Sequence, residues 1–376
     1  MRNKGNNIKM AVSNLAVSYN DEGPDDVPVI IFIHGFPFNK SMWNNQMEVL
    51  KEKYRVIAYD VRGHGDSDTG DEEFSIELFV SDLLGLMDAL KINEAVLCGL
   101  SMGGYVALNA IENYPRRFRG LILCDTNCIA DTPEAKEKRM KAIENIRENG
   151  VEKYADESIK NLFAPESFSS KVGEIDAARE MIVKTSRQSL YNTLHALSER
   201  KETCSKLPMI KVPALIMVGK EDKVTPPVAA RLMHEKIDNS ILHIISHAGH
   251  LSNMENPGEF NDQLKQFVDS VYHKQLSIKY KMENHSKEIQ PDINEQNPKK
   301  TFSNDDAEAD LNSKILKITM TIMDQYPELS KYIEEMPVTI PNENNPEITL
   351  SNLKAYYESL SLMLNKYKTE HPSIEI

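Results

Sequence analysis

The sequence has no hydrophobic run long enough to cross a membrane. No stretch approaches the ~18 apolar residues that a membrane-spanning helix needs. The N-terminal MRNKGNNIKMAVSNLAV also lacks the apolar core and small-residue cleavage site of a secretory signal. Positive charge is scarce too, because 44 Lys and Arg residues against 57 Asp and Glu residues leave a net charge of −13. We therefore expect no binding to nucleic acid and none to a membrane.

Cysteine is sparse as well, with four residues in the chain. Cys98 and Cys124 lie in apolar, strand-like runs, where a free thiol behaves as a small hydrophobe. Cys124 and Cys128 lack the second ligand pair that a metal site of this spacing requires. The remaining cysteine is Cys204. This usage predicts no metal site and favours a reducing, cytoplasmic setting.

Apolar runs alternate with helical patterns over the first 272 residues. Runs that are apolar on both faces are typical of a parallel sheet covered by helices. They lie at 27–36, 54–60, 95–100, 120–125, 214–219 and 241–245, after a loosely alternating segment at 9–19 that predicts a hairpin. Helical patterns fall near 42–52, 75–90, 102–113, 228–237 and 254–271. The alternation predicts a doubly wound α/β sheet.

Two segments interrupt this alternation. Residues 126–207 contain helical patterns and no strand run, which predicts a helical lid over the carboxyl edge of the sheet. Residues 273–310 are polar and aperiodic, so we expect a disordered linker after a domain that spans 1–272. Residues 311–376 predict a helical module with two amphipathic helices. A module of this size can bury the apolar stripes of its helices against each other only marginally. We therefore expect residues 311–368 to self-associate or to bind a protein partner.

The segment GLSMGG, residues 99–104, joins a predicted strand directly to a predicted helix. Such a junction bends sharply, and Gly99 and Gly103 lack the side chains that would obstruct it. Ser101 then projects its hydroxyl from the edge of the sheet, as a nucleophile requires. The pattern alone also fits a glycine-rich turn with an incidental serine.

A nucleophilic serine needs a base and an acid that orients the base. Asp222 follows one late strand and His250 follows the next, so both belong to the same sheet edge as Ser101. His247 is the rival base, and Asp125 at the end of LILCD is the rival acid.

The turn in FIHGF predicts a second functional feature at this edge. The N–H groups of Phe36 and Met102 are placed to form an oxyanion hole beside the serine. Four apolar residues are expected to lie partly in the core and partly on the wall of the substrate pocket: Phe36, Phe38, Trp43 and Leu251. We expect His34 and His64 to order loops at the sheet edge. Three arginines are expected on solvated helix faces rather than in contact with a substrate carboxylate, namely Arg179, Arg187 and Arg200.

Five motifs appear in a characteristic order: HGFP (34–37), DVRGHGDS (60–67), GLSMGG (99–104), GKEDKVTP (219–226) and HAGHLSNMENP (247–257). On these motifs, residues 10–272 resemble the α/β-hydrolase superfamily, and most of all the 3-oxoadipate enol-lactonase-like esterases and lactonases. The C-terminal tail resembles small uncharacterised helical domains of Bacteroidetes-type bacteria.

The resemblance implies an α/β-hydrolase fold and a serine hydrolase that cleaves a small carboxylic ester or lactone without a cofactor. We call the sharp strand-to-helix turn that carries Ser101 the elbow. Relatives with aspartate at the elbow are dehalogenases and epoxide hydrolases, whereas a serine at this position forms an acyl-enzyme. Carbon–carbon bond hydrolysis and cofactor-free perhydrolysis remain alternatives, because they use the same acid–base groups. A non-enzymatic ligand-sensing or interaction protein is the third interpretation.

Overall fold

A computed structural model describes residues 4–12 and 14–287, with side chains up to residue 272. Further along the chain it describes only positions 318, 354, 357–362, 364 and 367, all of them helical. The chain divides into two compact units, Met1–Ile289 and Gln290–Ile376. The first unit holds the complete sheet and the lid.

The first unit is built on an eight-stranded sheet with the order β1-β2-β4-β3-β5-β6-β7-β8. Its strands are β1 (Gly5–Val12), β2 (Leu15–Glu22), β3 (Val29–Ile33), β4 (Arg55–Tyr59), β5 (Ala95–Leu100), β6 (Phe118–Cys124), β7 (Ala214–Gly219) and β8 (Ser240–Ile245). Strand β2 pairs antiparallel with β1 and with β4. All pairs among the strands β3 to β8 are parallel. The predicted α/β sheet is therefore confirmed: each apolar run has become a strand, and the strands from β4 to β7 in the middle of the sheet are buried on both faces, whereas the edge strand β8 is partly exposed.

Helices cover the two faces of the sheet. They are α1 (Asn44–Leu50), α2 (Ile76–Ala89), α3 (Met102–Asn113), α4 (Pro133–Leu162), α5 (Ser167–Ser170), α6 (Val172–Lys184), α7 (Arg187–Glu199), α8 (Pro227–Lys236), α9 (Ser252–Glu255) and α10 (Pro257–Lys287). One core joins the sheet to α2, α3 and α8, and the other joins it to α1, α10 and the lid. Within the described residues, no helix combines the length and apolar character needed to span a membrane.

The lid consists of α4 to α7, as the helical patterns predicted. Gly150 interrupts α4 with a φ of 88°, a left-handed conformation that favours glycine. A disulfide joins Cys128, in the loop after β6, to Cys204, in the segment between α7 and β7. The N–H of Thr203 also donates to the carbonyl of Cys128 at 2.8 Å, so the two ends of the lid are fastened together. Such a bond is not what a reducing setting predicts.

The C-terminal region differs in part from the expectation. Helix α10 continues to Lys287, so residues 273–287 are helical rather than a disordered linker. Neither Pro nor Gly occurs between residues 259 and 290, so no helix breaker stops the helix where polar composition begins. In the predicted module, the described Leu360 and Leu364 are helical and buried. The rest of the predicted linker and module lies outside the described residues.

Candidate active site

Ser101 occupies a strained turn between β5 and α3. Its φ of 52° and ψ of −112° are rare for a residue with a side chain. A Cβ on Gly103 would lie 2.2 Å from the carbonyl oxygen of Ile33, and one on Gly99 would lie 2.1 Å from that of Gly103. Only glycine fits these two positions, so the glycines allow the bend that presents Ser101 at the sheet edge.

His250 lies in the loop after β8 and pairs with Asp222 in the loop after β7. The Nδ1 of His250 lies 2.9 Å from Oδ2 of Asp222, and both side chains are buried. Asp222 also accepts hydrogen bonds from the N–H groups of Val224 and Thr225 and from the Thr225 hydroxyl at 2.7 to 2.9 Å. This network fixes the carboxylate, which in turn orients the imidazole.

The pKa values of this pair shift apart. Burial would raise the pKa of Asp222, but the charge and hydrogen bond of His250 lower it below the ordinary value. Burial would lower the pKa of His250, but the charge and hydrogen bond of Asp222 raise it above the ordinary value. The ionised carboxylate of Asp222 therefore favours the protonated form of His250.

The two rival residues have other partners. His247 is 76% exposed at its side chain, and its Nδ1 lies 2.6 Å from Oε1 of Glu166. Asp125 is buried and accepts hydrogen bonds from the N–H of Gly219 at 2.8 Å and from the hydroxyl of Ser252 at 2.5 Å. Asp125 thus connects the end of β7 to the segment after His250.

The turn after β3 lies against the elbow. A Cβ on Gly35 would lie 3.4 Å from the Cβ of Ser101, so the following residue, Phe36, is close to the serine. Met102 is the first residue of α3, where backbone N–H groups have no intrahelical partner. Both residues line the same cleft as Ser101 and His250. This geometry agrees with the oxyanion-hole hypothesis for Phe36 and Met102.

A model of the alpha/beta hydrolase family matches residues 30–263. The chain belongs to this family. It is 29% identical over 252 residues to 3-oxoadipate enol-lactonase 2 of Acinetobacter baylyi, which covers 67% of this chain and 92% of the relative. A second enol-lactonase of that organism is 30% identical over 249 residues, or 66% of this chain and 91% of the relative.

Solved structures give the same relationship for this hydrolase. A malate-bound thermophilic esterase from Thermogutta terrifontis is 34% identical with a TM-score of 0.66, covering 70% of this chain and 98% of the other. The enol-lactonase from Burkholderia xenovorans LB400 is 28% identical with a TM-score of 0.66, and the match covers 69% of this chain and 99% of the other. The residues that the family model matches, 30–263, all lie within the first unit.

The predicted substrate-contacting residues fall into two groups. Phe36 lines the cleft, as expected. Phe38, Trp43 and Leu251 are fully buried in the core beneath the lid and do not line it. Their burial agrees with the core part of the expectation, and substrate contact by these three residues stays a prediction, because apolar character alone does not distinguish a core position from a pocket wall.

Two histidines order loops near the elbow. The Nδ1 of His34 donates to the carbonyl of Gly35, and its Nε2 accepts from the N–H of Val61, both at 2.9 Å. Burial lowers the pKa of His34 to about 4 and that of His64 to about 3, so both rings stay neutral. They connect the turn after β3 to the loop after β4, which agrees with the structural role predicted for them.

Sequence reasoning missed Glu255, a buried carboxylate in α9. Its Oε1 accepts from the N–H of Gly249, and its Oε2 accepts from the N–H of Ala164 and the hydroxyl of Ser167, at 2.6 to 2.7 Å. The N–H of His250 also donates to the carbonyl of Leu162 at 2.8 Å. Glu255 therefore ties the end of the first lid helix to the loop that carries His250. The acidic residue five positions after His250 was the available signal.

Proposed function

We propose that this hydrolase cleaves a small carboxylic ester or lactone through an acyl-enzyme on Ser101. The observation that carries the proposal is the strained elbow, which opens Ser101 onto the same cleft as the His250 held by Asp222. The names of the relatives, enol-lactonases and esterases, support an ester or lactone as the bond that is cleaved.

In the first half of the reaction, the Oγ of Ser101 attacks the substrate carbonyl while Nε2 of His250 takes its proton. Asp222 stabilises the resulting imidazolium. The N–H groups of Phe36 and Met102 bind the oxyanion, and each such donor typically lowers the barrier by ~3 kcal/mol. His250 then gives the proton to the leaving alkoxide, and the acyl group remains on Ser101.

In the second half, water replaces the alkoxide. His250 accepts a proton from water, the hydroxide attacks the acyl carbonyl, and the proton returns to Ser101 as the ester bond breaks. No step requires a metal or an organic cofactor. Carbon–carbon hydrolysis and perhydrolysis use the same groups and stay predictions from the sequence.

The test is covalent labelling with a fluorophosphonate, which forms a stable adduct with an activated serine. We expect the wild-type protein to be labelled and to release nitrophenol from a short-chain nitrophenyl ester with a burst. Ser101→Ala should lose the label and fall in kcat by at least about 10³-fold. His250→Ala should lose a similar factor, because members of a triad act as a unit.

Ser169→Ala is the matched control, because Ser169 is an exposed serine of the lid. This variant should be labelled and turn over like the wild type. A Ser101→Ala protein that keeps its label and its activity would show that the nucleophile lies elsewhere.

A further inference from the structure

The carbonyl of Ser101 and the N–H of Met102 belong to one peptide unit. The atoms of a peptide unit lie close to one plane, so a group that fixes the carbonyl also fixes the direction of the N–H. This N–H is one of the two donors of the oxyanion hole in the proposed function. The hydrogen bonds that the Ser101 carbonyl accepts therefore bear on the reaction itself.

Three donors hold the carbonyl of Ser101. Two are backbone groups of the helix that follows, the N–H of Gly104 at 2.9 Å and the N–H of Tyr105 at 3.2 Å. The third donor is a side chain, because Oγ1 of Thr126 donates to the same carbonyl at 2.8 Å. Thr126 lies in the loop after β6, so its hydroxyl holds the elbow from outside α3.

Thr126 is packed tightly against the first turn of α3. The residue is buried, and a Cβ on Gly104 would lie 2.4 Å from its Oγ1 and 2.6 Å from its own Cβ. A β-branched side chain has few rotamers, and this packing leaves the hydroxyl no room to turn away from the carbonyl. Thr126 is not among the described residues that line the cleft, whereas Ser101 and Met102 are. Any effect of Thr126 on the reaction therefore passes through the peptide that it holds.

Asp125 fixes the turn that carries Thr126. Its φ of 45° is left-handed, which is costly for a residue with a side chain and persists only where contacts enforce it. Its carboxylate supplies two such contacts, with the N–H of Gly219 at the end of β7 and the hydroxyl of Ser252 at the start of α9. Thr126 is thus held in a fixed position relative to the segments that carry the acid and the base.

Tyr105, the second backbone donor, is held from the lid. The guanidinium carbon of Arg200 lies 4.2 Å from the centroid of its ring. Arg200 lines the cleft, is 6% exposed at its side chain, and donates to Asp131 and to two backbone carbonyls. The expectation that Arg200 lies on a solvated helix face is wrong, whereas Arg179 does pair with Asp156 on the lid surface.

We propose that Thr126 is a positioning residue for the oxyanion hole: its hydroxyl orients the Ser101–Met102 peptide so that the Met102 N–H points to where the oxyanion forms. A hydrogen bond to the carbonyl also polarises the peptide and strengthens its N–H as a donor. The inference rests on the proposed function, because an oxyanion forms only when Ser101 attacks a carbonyl. Both halves of the reaction pass through an oxyanion, so loss of the hydroxyl slows both and affects kcat rather than KM.

The test measures hydrolysis of para-nitrophenyl butyrate by variants of Thr126. Thr126→Val keeps the branched shape without the hydroxyl and should lower kcat about tenfold, with KM changed less than about twofold. Thr126→Ser keeps the hydroxyl and should stay within about threefold of the wild-type kcat. The inhibition constant of an alkyl trifluoromethyl ketone, which forms an oxyanion on the serine, should rise in Thr126→Val by the factor that kcat falls.

Thr193→Val is the matched control. Thr193 is a buried threonine of the lid whose hydroxyl has no hydrogen-bond partner within the described part of the chain. This variant should change neither kcat nor the inhibition constant. Urea unfolding of each variant verifies that its fold is intact.

Three results would overturn the role of Thr126. They are an unchanged kcat in folded Thr126→Val, a loss in Thr126→Ser as large as that in Thr126→Val, and a loss confined to KM. Should Thr126→Val not fold, Thr126→Ala removes the same hydroxyl, and the same changes in kcat and in the inhibition constant are expected. Failure of the proposed function is distinct, because Ser101→Ala would then keep its label and its activity.

Discussion

Removal of the disulfide between Cys128 and Cys204 should destabilise the hydrolase unit without changing its fold. The bond closes a loop with a sequence separation of 76 residues. In the chain-entropy description, such a closure removes freedom from the unfolded chain worth about 4.5 kcal/mol at 25 °C. That value is an upper figure for Cys204→Ser, because the hydrogen bond between Thr203 and Cys128 persists when the sulfur bond is lost.

Trp43 offers a clean reporter for the measurement. It is the single tryptophan of the chain, it is fully buried, and its ring lies 4.9 Å from that of Phe32 and 6.3 Å from that of Phe260. Its fluorescence therefore follows the hydrolase core and not the C-terminal region. With a slope of ~3 kcal/mol per M urea, a loss of 4.5 kcal/mol moves the unfolding midpoint down by about 1.5 M.

The experiment compares urea unfolding of the wild type with and without reductant. Reductant should lower the wild-type midpoint and leave that of Cys204→Ser unchanged, because this variant has no bond to break. A count of the free thiols in the non-reduced, denatured protein should give two, Cys98 and Cys124. Four free thiols, or a wild-type midpoint that does not respond to reductant, would refute the bond and restore the expectation of a reducing setting.

The remaining predictions concern protonation and the lid. In the proposed mechanism only neutral His250 accepts the proton of Ser101, so kcat/KM should rise with pH through an apparent pKa above the ordinary value for histidine, because Asp222 raises the pKa of His250. Asp222→Asn should move the rising limb of the pH–rate profile to lower pH and reduce kcat by roughly 10⁴-fold. Profiles of kcat/KM against pH for the wild type and for this variant check the prediction. Glu255→Gln should also move the limb to lower pH, since the charge of Glu255 raises the pKa of His250, and should cost about 2 kcal/mol in urea unfolding. An unmoved limb in Glu255→Gln would contradict the electrostatic effect.

The sequence by itself predicted the sheet, its helices and the helical lid. These features follow from local signals, because a strand covered on both faces has to be apolar along its whole length and a helix repeats its apolar face every three to four residues. The elbow was equally visible, because a strand that turns directly into a helix needs glycine on both sides of Ser101. The continuation of α10 to Lys287 was missed, because polar composition was given more weight than the absence of helix breakers.

The sequence already favoured His250 and Asp222 over their rivals, but only the tertiary structure decided which partners the rivals and the other buried side chains have. His247 and His250 lie three residues apart, yet one pairs with Glu166 on the surface and the other with Asp222 in the interior. The backbone path of a loop sets the direction of each side chain, and that path depends on contacts distant in sequence. The same reason explains why Glu255, 91 residues after Ala164, was found only in the structure. It also explains why Arg200 turned out to be part of the cleft: its partner Asp131 lies 69 residues earlier, at the opposite end of the lid.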